Sequence, residues 1–114
     1  MIHRGRCHCG QVAFEVEGEL TAVVSCNCSI CSRKGALLWA VSRDRLRLLT
    51  PEDRLAEYMF DRRTIRHRFC RTCGVHPFAE SATGDEPTVY VNVWCLDGFD
   101  PAAVTIVDFD GRSV

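Results

Sequence analysis

Residues 11–17 alternate cleanly, with Val12, Phe14 and Val16 on one side and Gln11, Glu15 and Glu17 on the other. That period of two, closed by Gly18, predicts a half-buried strand. A second β-prone run over 20–25 leads into Cys26. Residues 36–42 are apolar on both faces, as in a buried strand, and 46–49 reads as a short strand ended by Thr50-Pro51. Period alone leaves 55–60 ambiguous, but its aromatics and Met59 favour a strand. In 64–69, Ile65, His67 and Phe69 face one way and Arg66 and Arg68 the other. Residues 76–80 are interrupted by Pro77, which predicts an edge strand or a loop. A polar turn follows over 81–87. The strongest alternation covers 88–96, with Val89, Val91, Val93 and Cys95 opposed by Tyr90, Asn92, Trp94 and Leu96. After a turn at 97–101, residues 104–109 form a last strand. Short strands without a long helical period predict an all-β chain, and its 114 residues suit one domain over 1–114.

Composition narrows the class. Hydrophobic residues make up 46% and charged residues 25%, the balance of a soluble globular protein. No apolar run approaches the ~20 residues of a membrane span. Met1-Ile2-His3-Arg4-Gly5 lacks the apolar stretch of an export signal, so a cytoplasmic location is expected. A formal charge of -1 without a basic tract argues against nucleic acid or a membrane surface as partner.

The eight cysteines change the picture most. Seven fall into CxC (Cys7, Cys9), CxCxxC (Cys26, Cys28, Cys31) and CxxC (Cys70, Cys73). Disulfides at such spacings would close small strained rings, so metal binding is expected. Side chains two apart share a face, and Gly5 and Gly10 bracket the first pair while Gly74 follows the last. Cys7, Cys9, Cys70 and Cys73 would supply the four tetrahedral thiolates of a structural Zn²⁺. Such sites are worth on the order of 10–16 kcal/mol, so losing one ligand should unfold the chain.

Cys26, Cys28 and Cys31 provide three thiolates, and spacing supports two readings equally. One is an open site whose fourth position takes water or substrate, as in catalytic zinc centres. The other is a second closed site completed by Cys95, His67, His76 or His8. Cys95 lies among core-facing valines and reads as a core thiol; His67 reads as a core histidine, and His76 as a proton shuttle or a structural hydrogen bond. Two Zn²⁺ ions held by seven thiolates would take the formal charge from -1 to -4. At an open site a small thiol would be ionised on binding, which suits thiol chemistry.

Gly5-Arg6-Cys7-His8-Cys9-Gly10-Gln11-Val12, Cys26-Asn27-Cys28-Ser29-Ile30-Cys31 with Arg33 and Gly35, Phe69-Cys70-Arg71-Thr72-Cys73-Gly74 and the later Leu96-Asp97 together resemble the glutathione-dependent formaldehyde-activating enzyme family, which includes the domain of centromere protein V. The resemblance covers nearly the whole chain. It implies a zinc-stabilised β-tent of short antiparallel strands. Cys7, Cys9, Cys70 and Cys73 match the family's structural zinc ligands, and Cys26, Cys28 and Cys31 its catalytic ones. The activity it implies is that of a carbon–sulfur lyase acting on a glutathione adduct such as S-(hydroxymethyl)glutathione. A non-catalytic zinc or glutathione-binding module and a structural double-zinc interaction domain are the alternatives.

Glutathione carries two carboxylates, which arginine grips bidentately. Arg33 and Lys34, just past the triplet, are the nearest candidates, and for Arg33 a substrate contact and a solvated charge stand level. Arg62, Arg63, Arg66 and Arg68 read as solvated surface charge. Asn92 has only its polarity to suggest a pocket. An exposed sheet edge would allow a monomer or a homodimer.

Overall fold

A computed structural model describes residues 1–81 and 86–113. The strands are β1 (Ile2–Arg6), β2 (Ala13–Glu17), β3 (Ala22–Cys26), β4 (Leu38–Ser42), β5 (Leu46–Leu48), β6 (Leu55–Tyr58), β7 (Ile65–Cys70), β8 (Phe78–Ser81), β9 (Thr88–Asn92) and β10 (Thr105–Phe109). A single helical turn, α1 (Cys31–Lys34), follows β3. The fold is all-β and forms two sheets, ordered β1-β2-β5 and β10-β3-β4-β9-β8-β7-β6. Strand pairings are antiparallel except β3 with β10, which run parallel. Among the described residues no helix is long and apolar enough to cross a membrane.

The alternating faces meet between the sheets. Val12, Phe14 and Val16 are fully buried, as are Val89, Val91 and Val93. Phe14 of β2 and Phe78 of β8 join the two layers edge to face, 5.7 Å between centroids. Gly5 lies opposite Phe14 in the β1–β2 register, and a Cβ there would run into the Phe14 ring. β1 has no apolar stripe; Gly5 is its only buried position, so periodicity gives no sign of this strand.

Four expectations need correcting. The 88–96 run is not one strand: β9 stops at Asn92, where the side chain accepts the Trp94 N–H and caps a 3-10 turn over Val93–Cys95. Asn92 also donates to the His76 carbonyl at 2.9 Å, so its amide is spent on the fold. The Pro77 segment is neither edge nor loop, because β8 pairs with both β7 and β9. Pro77 lies just before the strand, where its missing N–H costs no ladder bond, and its carbonyl accepts from Asn92. Arg68 is not solvated. It is buried, with Nη1 2.8 Å from Glu80 and 2.9 Å from Glu52. The 36–42 run is shorter and half-buried, with Trp39 inside and Ala40 exposed. The turn expected over 81–87 falls mostly on residues 82–85, outside the described residues.

Candidate metal centres

Cys7 and Cys9 lie in the turn between β1 and β2; Cys70 ends β7 and Cys73 lies in the turn beyond it. Both turns close through left-handed glycines, Gly10 (φ 82°) and Gly74 (φ 79°). The four sulfurs lie within 4.8 Å of one another. Cys9 Sγ is 3.7 Å from Cys7 Sγ and 3.6 Å from Cys70 Sγ. A tetrahedron with metal–sulfur bonds of ~2.3 Å has edges of ~3.8 Å, so the set is spaced for one ion. Backbone N–H groups of Val12, Thr72 and Cys73 point at the sulfurs of Cys7 and Cys70 from 3.3–3.5 Å. These donors favour thiolates over thiols. Burial works against ionising Cys73, but N–H groups of Val75 and Cys9 and the nearby Cys70 and Cys7 outweigh it and bring that thiol down to about 6.

The second set forms where β3 enters α1. Cys26 ends the strand, Cys28 lies in the bend and Cys31 opens the helix, with their sulfurs also within 4.8 Å. The Cys28 N–H points at Cys26 Sγ (3.5 Å) and the Cys31 N–H at Cys28 Sγ (3.4 Å). The turn ends at Gly35, whose left-handed backbone returns an N–H to the Cys31 carbonyl. All three cysteines are half-buried, whereas Cys7 and Cys70 in the first set are fully buried. Burial and the adjacent Cys28 and Cys26 push the Cys31 thiol up to about 12, with Lys34 pulling the other way. Three thiols so close cannot all ionise without a cation among them.

Among the described residues neither set includes Cys95, His67, His76 or His8. Cys95 packs against the core with its thiol 3.7 Å from the His76 carbonyl, and burial pushes it up to about 11, ahead of the influence of Cys7 and Cys73. A cleft of about 590 Å³ opens beside the three-cysteine set, lined by Cys26, Cys31, Leu37, Asp108, Phe109 and Asp110 among others. Arg33 lines a different cleft with Ile30, Tyr58 and Phe60, and its Nη1 donates to the Ser29 carbonyl at 2.7 Å.

One element of this site has no sequence signal. Residues 109–112 fold back onto the triplet: Asn27 donates from its N–H to Phe109 and from Nδ2 to Asp110 Oδ1, and Arg112 N–H donates to Asn27 Oδ1. The parallel β3–β10 pairing, whose partner residues are 83 positions apart in the chain, brings them there. The Asp110-Gly111 pair reads as an ordinary turn.

A sequence profile for the glutathione-dependent formaldehyde-activating enzyme matches residues 2–109. A crystal structure of a Rhodobacter sphaeroides protein superimposes with a TM-score of 0.80 at 36% sequence identity, covering 92% of this chain and 97% of that one.

Proposed function

The chain belongs to the glutathione-dependent formaldehyde-activating enzyme family, and from that premise we propose that it is a cytoplasmic zinc enzyme of carbon–sulfur lyase type. Its substrate would be a glutathione adduct such as S-(hydroxymethyl)glutathione, or the adduct of a similar small thiol. One observation carries the reading: the first cysteine set offers four ligand atoms and the second three, beside an open cleft. Cys7, Cys9, Cys70 and Cys73 would hold a structural zinc. Cys26, Cys28 and Cys31 would hold a second ion, with a fourth position left for the thiol. Zinc bound there would keep that thiol ionised near neutral pH.

In the condensing direction the sulfur forms a bond to the carbonyl carbon of formaldehyde, and the carbonyl electron pair moves to oxygen, which takes a proton. In the lyase direction the hydroxyl gives up that proton, its electron pair re-forms the carbonyl, and the C–S pair leaves with the sulfur, which takes up a proton as the free thiol. The cleft walls between Leu37 and Phe109 would orient the thiol and limit water. Arg33 has guanidinium donors left over beyond its bond to Ser29, and these suit a carboxylate reaching across α1.

Metal analysis and exchange spectroscopy test this together. We expect two zinc ions per chain, a folded one-zinc protein for Cys28→Ser, and an unfolded chain for Cys70→Ser. Exchange between glutathione and S-(hydroxymethyl)glutathione should be faster with the wild type than with Cys28→Ser. Equal exchange rates would remove the enzymatic claim, and a single ion in the folded wild type would remove the two-site scheme.

A further inference from the structure

Lys34 is the chain's only lysine. It leaves α1 three residues after Cys31, on the same side of the turn. Its Nζ is 3.0 Å from His67 Nδ1 and 3.1 Å from His76 Nε2. The protons in this cluster can be assigned by elimination. His76 Nδ1 is 2.6 Å from the Arg68 carbonyl, which can only accept, so Nδ1 carries the hydrogen and Nε2 offers a lone pair. An ammonium has no lone pair, so His67 Nδ1 must accept as well. Both imidazoles are therefore neutral and both point lone pairs at one cation. The His67 ring is fixed by a stack against Phe60, 5.5 Å between centroids, and Tyr58 stacks behind Phe60 at 5.7 Å.

A half-buried lysine normally sits against a carboxylate, which cancels its charge. Here the hydrogen-bond partners are neutral, and among the described residues no ion pair includes Lys34. Lys34 lies one turn after Cys31 on α1, and negative charge on Cys31 and Cys28 opposes the downward push that burial gives its ammonium. Three thiolates around a divalent ion already carry a net charge of -1, so an anionic fourth ligand is disfavoured against a neutral one unless a cation stands close by. Lys34 is such a cation, and its own partners do not cancel it.

We propose that Lys34, held between His67 and His76, is a positioning residue that makes the three-cysteine site select an anionic ligand, a thiolate, over a neutral one. The inference rests on the open-site reading above and adds to it the residue that sets ligand charge. The imidazoles act as a neutral clamp: they keep the ammonium desolvated and fixed in place without reducing its charge.

The test uses the Co²⁺-substituted full chain and two probes read by the cobalt absorption bands. One is 2-mercaptoethanol, which binds as an anion and has no charged tail; the other is imidazole, which binds neutral. In Lys34→Met the thiol should bind about tenfold more weakly, the scale of one unit charge lost near a partly buried site, while imidazole stays within about twofold. Lys34→Gln, which keeps a donor for the imidazoles but no charge, should behave the same and covers a fold defect in the Met variant. Lys34→Arg should recover most of the thiol affinity. If both uncharged variants change the two probes equally, Lys34 is structural and the proposal falls while the open site stands. If the wild type binds neither probe, the site is closed and both readings fall.

Discussion

Gly111→Ala would put a methyl group where the structure holds a sulfur. A Cβ at Gly111 would lie 2.6 Å from Cys26 Sγ and 3.0 Å from Cys28 Cβ. Gly111 is not among the glycines with positive φ, so the residue is there for room and not for backbone conformation. Ordinary contact between such heavy atoms is ~3.5–4.0 Å, so something must move by about 1 Å. Cys26 can turn its sulfur out of the three-sulfur set, which removes a ligand. Alternatively the strap of residues 109–112 can lift, which breaks the bonds of Asn27 to Asp110 and Arg112, both 3.0 Å long. Overpacking of this kind costs about 1–3 kcal/mol, and two partly exposed hydrogen bonds at ~0.5–1.5 kcal/mol each set a similar ceiling on the second route. Expressed as metal affinity at the central set, 1–3 kcal/mol is a loss of roughly 5- to 150-fold. Competition with a chromophoric chelator reads this directly. The ion at Cys7, Cys9, Cys70 and Cys73 should be released as in the wild type, and the other should be captured at a lower chelator concentration. A Gly111→Ala protein whose two ions are released as in the wild type would show that the strap does not press on the sulfurs of the triplet.

Two further predictions concern stability. Glu80→Ala leaves the buried Arg68 guanidinium, whose Nε has no partner among the described residues, with only the exposed Glu52 among them and removes the Arg43 contact too; chemical denaturation should show a loss of about 3–5 kcal/mol with metal content unchanged, and a loss below about 1 kcal/mol would mean that water reaches Arg68. His67 and His76 are both pushed down to about 4, by burial first and the Lys34 charge second. Between about 4 and the ordinary 6.5 the unfolded chain binds the more protons, so stability is fully present above 6.5 and is lost as pH falls toward 4. A His67→Phe variant should show a shallower acid limb in melts run across that window, and an unchanged limb would assign the acid sensitivity to other groups.

The parts legible in the sequence are those set by local period and local spacing. Val12, Phe14 and Val16 showed their face because a half-buried strand repeats every two residues, and Cys7-x-Cys9 and Cys70-x-x-Cys73 showed their convergence because a turn must aim both sulfurs one way. β1 was invisible because its buried position is a glycine. The stop at Asn92 was hidden because the cap is a hydrogen bond to a residue two further on, inside an unbroken apolar alternation. Arg68 looked solvated because its neutralising partners, Glu80 and Glu52, lie twelve and sixteen residues away on other elements. Lys34 could be named as a neighbour of the triplet, but two histidines converging on it from positions 67 and 76 require the folded sheet.

The same topology explains why two cysteine sets of similar spacing differ in ligand number. The Cys7/Cys9 turn and the Cys70/Cys73 turn lie at ends of different sheets that meet across the core, so each brings two sulfurs to one point. The triplet lies at the end of β3, and the strands beside β3 are β4 and β10. Neither carries a cysteine or histidine. What β10 delivers to the triplet is Phe109 followed by Asp110 and Gly111, and the Asp110 carboxylate is already taken by Asn27 and Ser113. A glycine against Cys26 supplies no ligand atom and blocks one approach, while the cleft beside it leaves another open. That the triplet has no fourth ligand atom beside it among the described residues is thus a consequence of strand order. A fourth ligand atom would have to come from β4, from β10 or from residues 109–112, and no substitution within the triplet supplies it.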